Sequence, residues 1–198
     1  MNIVFDLGNV VLRWDPRFLY RKIFADDAKM EWFLSHVCSP DWNLEQDRGR
    51  SFSDAVKELA RNHPDYSEEI SAYDLRWHET LPHAIEGTVA IVEELDAGST
   101  SLYAITNWNS EKFRETRVRF PLLERFRDIV VSGDEKLVKP DPAIYRLLLD
   151  RNGLAAAQCL FIDDSARNVA GAEAVGMKGH HFVSPETLRA DLAARGLL

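Results

Sequence analysis

The sequence predicts an α/β protein: an open parallel sheet flanked by helices, with an all-helical segment inserted after the first strand. Three observations carry that prediction. Short apolar runs at residues 3–5, 102–105, 129–131 and 159–162 have the length and composition of strands buried on both faces. From Ile85 onward these runs alternate with helical stretches, which requires parallel pairing and right-handed crossovers. Between the first run and residue 84 only helical patterns occur.

Within the insert, Asp15-Pro16 pairs an N-cap with proline at the first helical position, followed by the apolar stripe Phe18, Leu19, Ile23 and Phe24. Met30, Phe33, Leu34 and Val37 recur at i, i+3, i+4 and i+7, which predicts a second helix. Ser51-Phe52-Ser53-Asp54 has the form of a capping box opening a third, through Ala55, Val56, Leu59 and Ala60. Ser67 is placed to cap a fourth, whose Ile70, Tyr73, Trp77 and Leu81 share a face. Residues 14–83 therefore form the predicted helical insert, and residues 1–13 with 84–198 the sheet-bearing core. In the core, a helix ends near Gly98, and a short charged one runs over 111–119. Asp141-Pro142 opens another that stops at Gly153. A helix rich in Ala and Gly covers 168–175, a last strand 179–183, and a terminal helix 185–195.

A chain of 198 residues, 45% apolar and 10% aromatic, can bury one sizeable core. No apolar stretch approaches the ~20 residues that span a bilayer, and Asp6 interrupts any leader-like run almost at once. The expectation is a cytoplasmic protein with Cys38 and Cys159 as free core thiols. A net charge of −8 argues against nucleic acid as a partner but allows a small phosphorylated substrate. No membrane partner is expected, and the chain is expected to act as a monomer or small homo-oligomer.

Each strand ends in chemistry. Asp6 follows the first, Thr106-Asn107 the second, Lys139-Pro140 trails the third, and Asp163-Asp164 ends the fourth. In an open parallel sheet the carboxyl ends of the strands form the ligand-binding edge. Three carboxylates gathered there against one lysine repel one another, by about 4 kcal/mol per pair at ~4 Å and an effective dielectric near 20. Such a cluster calls for a cation or shifted pKa values. Magnesium, a hard ion that prefers oxygen ligands, suits it. Pro140 holds Lys139 out of helical geometry.

The ordered set Asp6-Leu7-Gly8-Asn9-Val10, Thr106-Asn107, Lys139-Pro140 and Asp163-Asp164 resembles the haloacid dehalogenase superfamily, along the whole chain. The resemblance is to its phosphatase branch with a helical cap, and within it to a subgroup beginning FDLGNV that includes sugar-1-phosphate phosphatases. It implies a Rossmann-like core and magnesium-dependent hydrolysis of a small phosphorylated metabolite through a phospho-aspartyl intermediate. Asp6 would be the nucleophile, Thr106 and Asn107 the phosphate-binding pair, and Lys139 the group that neutralises both Asp6 and the phosphoryl group. The metal ligands would be Asp6, the Gly8 carbonyl and Asp164, with Asp163 as an alternate or supporting ligand and Asn168 behind it.

The chain departs from that pattern at Gly8, where most relatives carry a second aspartate that protonates the leaving group. Either the substrate has a good leaving group, such as an anomeric phosphate, or an insert residue or water donates the proton, with His36 and His78 as candidates. A polar loop holding Trp42, Glu45, Asp47, Arg48 and Arg50, together with Trp108, is expected to border the substrate. Rival readings are a metal-free 2-haloacid dehalogenase, disfavoured by the acidic pair, and a non-catalytic relative, disfavoured by the retained charges.

Overall fold

A computed structural model describes residues 1–98 and 100–198. The sheet runs β3-β2-β1-β4-β5, all parallel. Strand β1 (Asn2–Phe5) lies at the centre, with Phe5 in register with Ala104 on one side and Ile162 on the other. Chain order reverses across β1 and β4, so their tips flank the crevice where ligands bind in such sheets.

The insert follows β1 as α1 (Arg17–Tyr20), α2 (Asp27–His36), α3 (Pro40–Asp47), α4 (Phe52–Asn62) and α5 (Ser67–Leu75), with 3-10 turns at Pro64–Tyr66 and Trp77–Thr80. The first helix is shorter than its apolar stripe suggests. Pro16 rather than Asp15 is its N-cap residue, with no side-chain cap; the Asp15 carboxylate just before it accepts from the Arg17 amide at 2.9 Å, and one turn suffices to bury Leu19 and Tyr20. Ser67 caps nothing; α5 has no side-chain cap, and it ends before Trp77, which sits in the 3-10 turn. The larger correction is α3. Residues 42–50 were expected as a loop, yet Ser39 accepts from the Trp42 amide at 3.2 Å and Pro40 opens a helix to Asp47.

The core continues with α6 (Glu86–Ala97), β2 (Leu102–Thr106), α7 (Ser110–Arg119), β3 (Asp128–Val131) and a single-turn helix α8 (Ser132–Glu135). Then come α9 (Pro142–Asn152), β4 (Cys159–Asp163), α10 (Ala166–Ala174), β5 (Lys178–His181) and α11 (Pro185–Ala194). Asp141 caps α9, and Gly153 closes it in the left-handed conformation at φ 62°. Strands β2 and β4 are buried along their whole length, as their unbroken apolar runs require.

Alternate residues of the central strands face two apolar layers. Val4, Ile105 and Phe161 pack against α9 and α10, while Ile3, Phe5 and Ile162 belong to a core that continues into the insert. There the filling is aromatic: Tyr20 lies 4.9 Å from Phe33, and Tyr73 lies 5.4 Å from both Trp42 and Trp77. Both cysteines are free and buried. No helix among the described residues is long and apolar enough to cross a membrane.

Candidate active site

The site begins where β1 stops. The Asp6 amide donates to the Ile162 carbonyl at 2.7 Å, which ties this tip to β4 and leaves the carboxylate pointing past the sheet edge. The Asp6 Oδ1 accepts from the Leu7 amide at 2.6 Å. Asn9, at φ 55°, turns the chain back so that its amide meets the Leu12 carbonyl at 2.7 Å.

Lys139 organises the charges. Its ammonium lies 2.9 Å from Asp6 Oδ1 and 2.7 Å from Asp163 Oδ2, with the side chain 1% exposed. Asn107 aims it: the Lys139 amide donates to Asn107 Oδ1 at 2.8 Å, and Asn107 Nδ2 donates to the Lys139 carbonyl at 3.1 Å. The Asn107 side chain thus braces the lysine loop. Both Asp163 oxygens are taken by N–H donors: Ser165 at 2.8 Å, Lys139 at 2.7 Å, and Asn168 Nδ2 at 3.1 and 3.2 Å. That bonding fixes Asp163 and, through it, the Lys139 ammonium. Asp164, by contrast, is exposed.

One oxygen from each of Asp6, Asp163 and Asp164 lies within 4.8 Å of the others. Burial is the main influence on Asp6; with Asp163 and Asp164 beside it, it outweighs Lys139 and pushes the carboxyl up to about 7. Burial and Asp163 also raise Asp164. Burial would lower the Lys139 ammonium, but Asp6 and Asp163 prevail and hold it charged. The surplus is negative, and the donors are oxygen, which fits a hard divalent cation.

These groups open into a chamber of about 230 Å³ lined by Asp6, Gly8, Thr106, Asn107, Lys139, Asp164 and Asn168 from the core side. Thr106, the buried last residue of β2, stands on its wall. A Cβ added at Gly8 would meet open space. The opposite wall comes from Trp14, Asn43, Asp47 and Trp77. Through Asn9, Trp14, Asn43 and Asp164 the chamber adjoins a larger cleft of about 980 Å³ between the insert and the loop that leads into α11.

Of the five residues expected in a substrate loop, only Asp47 lines the chamber. Trp42 packs on Phe52 and Tyr73, Arg48 pairs with Glu45 at 2.5 Å, and Arg50 pairs with Glu58. Trp108 does border the chamber. His36 and His78 are exposed and absent from its lining, so neither is placed to serve the reaction. Asn43 was not anticipated. It sits one helical turn before Asp47, and its Nδ2 donates to Asp47 Oδ2 at 3.3 Å.

The family model for haloacid dehalogenase-like hydrolases matches residues 31–181. A sesquiterpene phosphatase of Aspergillus oryzae is 27% identical over 180 residues, covering 90% of this chain and 88% of that protein. A phosphoserine phosphatase of Thermus thermophilus is 27% identical over 132 residues, covering 66% of this chain and 52% of its own. In fold, this chain is similar to a HAD family enzyme of Bacteroides thetaiotaomicron solved in complex with magnesium and inorganic phosphate. The TM-score is 0.71 at 20% identity, over 92% of this chain and 94% of that one.

Proposed function

The chain belongs to the haloacid dehalogenase-like hydrolases, and from that premise we propose that it is a magnesium-dependent phosphatase of small phosphorylated metabolites, sugar 1-phosphates included. The observation that carries the reading is Lys139, buried between Asp6 and Asp163 at the tips of β1 and β4, with Asp164 completing an oxygen cluster on the chamber wall. A phosphoryl group suits a chamber of about 230 Å³, and the adjoining 980 Å³ cleft accommodates the rest of the substrate. The relatives that act on phosphate esters support the same chemistry.

In this reading the Asp6 carboxylate attacks phosphorus and forms a phospho-aspartyl intermediate, which water then hydrolyses. The Thr106 hydroxyl and nearby backbone amides hold the non-bridging oxygens. Lys139 offsets charge on Asp6 and on the phosphoryl group, and Asp163 with Asn168 keeps the ammonium in place. A divalent cation held by Asp6, the Gly8 carbonyl and Asp164 would offset the carboxylates and polarise the phosphoryl oxygens. Residues 14–83 act as a cap that shields the chamber and contributes to specificity.

The test is phosphate release over a metabolite panel with magnesium present, with Asp6→Asn as control. Release that requires both magnesium and Asp6 supports the reading. Chloride release from a chloropropionate in the presence of a strong chelator would replace it with dehalogenation.

A further inference from the structure

Breaking a P–O ester bond leaves an alkoxide, and an alkoxide is a poor leaving group unless a proton reaches it as the bond breaks. For a substrate without an activated leaving group, a proton donor is needed near Asp6. Its ionisable lining residues, among those described, are Asp6, Asp47, Lys139 and Asp164. Asp6 is the nucleophile. Lys139 is committed to two carboxylates, and Asp164 belongs to the oxygen cluster with Asp6 and Asp163. Asp47 is the one carboxyl on the chamber wall that stands outside that cluster.

Resting on the phosphatase reading above, we propose that Asp47, delivered by the helical insert, is the general acid that protonates the leaving group. Its surroundings favour the protonated form. It is the last residue of α3, where the helix dipole opposes negative charge. Burial, partly offset by a hydrogen bond from the Asn109 backbone and by Lys139, keeps the carboxyl up near 7, and Asp6 adds to the rise. Tyr73 of α5 also faces it, as an un-ionised phenol. Helix α8, packed against α3, directs its own charges elsewhere: Asp134 to Arg114 and Glu135 to Arg151.

Asp47 is also held in place by the core. Its carbonyl accepts from Ser132 Oγ at 2.6 Å, and Asn109 Nδ2 donates to the Gln46 and Arg50 carbonyls at 3.3 and 3.0 Å. Gly49, at φ 97°, brings this turn so close to α8 that an added Cβ would lie 2.7 Å from the Gly133 carbonyl oxygen. The end of α3 is thus positioned by the catalytic core although the insert supplies it.

The steps balance. An Asp6 oxygen bonds to phosphorus while the P–O ester bond breaks, and its electron pair takes the Asp47 proton to give a neutral alcohol. Water then attacks phosphorus, the Asp6–phosphorus bond breaks, and Asp47 recovers a proton from that water. An acid in this position also removes the need for an activated leaving group, so sugar 1- and 6-phosphates would both be hydrolysed.

The experiment compares kcat/KM, which reports the steps up to alcohol release, for magnesium-loaded wild type and Asp47→Asn on phosphates of graded leaving-group acidity. With alkyl phosphates Asp47→Asn should lose about 10²–10⁴-fold, while with p-nitrophenyl phosphate, whose leaving group needs no proton, the change should be within a few-fold. Equal losses on both would overturn the proposal, as would a steep leaving-group dependence in the wild type, which needs no variant to fold. Failure of the phosphatase reading itself looks different: no phosphate is released by the wild type from any substrate.

Discussion

The two walls of the chamber are built by opposite means. The core wall rests on strand tips, and its side chains bond to one another: Lys139 to Asp6 and Asp163, Asn168 to Asp163, Asn107 to the Lys139 backbone. The insert wall rests on α3 and a 3-10 turn, and among the described residues its Asp47 carboxyl accepts only from Asn43, at 3.3 Å, and from the Asn109 amide. A saturated wall fixes charge in place. An under-bonded carboxyl in a half-buried setting can gain and lose a proton. In the proposed reaction, binding and attack fall to the first wall and proton transfer to the second.

The largest effect expected from breaking this division is at Asp6. Asp6→Asn should bring phosphate release to background with every substrate, because in the proposed reaction its carboxylate is the group that bonds to phosphorus. Its thermal stability should hold or rise, since one of three crowded carboxylates becomes neutral. A variant that still released phosphate at a fraction of the wild-type rate would move the nucleophile elsewhere.

The same contrast explains what could be read before folding. Asp6, Thr106, Lys139 and Asp163 end or follow unbroken apolar runs, and parallel pairing alone carries such tips to one edge. Five parallel strands followed from the same alternation, and the insert from the lack of any strand pattern over residues 14–83, but the order of the strands in the sheet did not. Asp47 was expected near the substrate only as one of five residues of a loop, and nothing singled it out from the other four, because α3 is short and its half-buried residues follow no clean periodicity. Ser39-Pro40 was the available clue, a cap with proline at the first helical position. What it could not reveal is that Ser132 and Asn109, far away in sequence, clamp the end of that helix against the core.

Removing the central cation tests the saturated wall. Lys139→Met leaves Asp163, fully buried, and Asp6, nearly so, without their counter-charge. Breaking a buried ion pair from one side costs about 3–5 kcal/mol. Urea unfolding in the presence of chelator should show that loss, together with loss of phosphate release. A change below about 1 kcal/mol would mean that the pair is solvated and the wall less rigid than its geometry implies.

The under-bonded wall should respond in the opposite sense. The Asp47 carboxyl sits near 7 in the fold, mainly through burial, against an ordinary value of 3.8. A folded pKa above the unfolded one favours the protonated fold. That contribution is full below about pH 4 and is lost as pH rises through 7. Asp47→Asn cannot ionise and escapes the loss. At about 1.4 kcal/mol per unit, reduced by partial solvation, it should gain about 2–4 kcal/mol over wild type at pH 8 and little at pH 4. Melting curves at the two pH values decide it; a gain that did not grow with pH would mean that the carboxyl titrates normally.

The smallest effect should come from the link between the walls. Ser132 is fully buried; its Oγ donates to the Asp47 carbonyl at 2.6 Å and accepts from the Trp108 amide at 2.8 Å. Ser132→Ala removes no chemistry, but it strips both backbone groups of a partner, which costs about 1–3 kcal/mol. It also loosens the end of α3, so kcat/KM on alkyl phosphates should fall a few-fold while p-nitrophenyl phosphate is spared. Because that loss acts through the position of Asp47, adding Ser132→Ala to Asp47→Asn should cost stability again but no further activity. Additive activity losses in the double variant would show that Ser132 supports the core wall through Trp108 instead, and that the two walls are coupled at a different point.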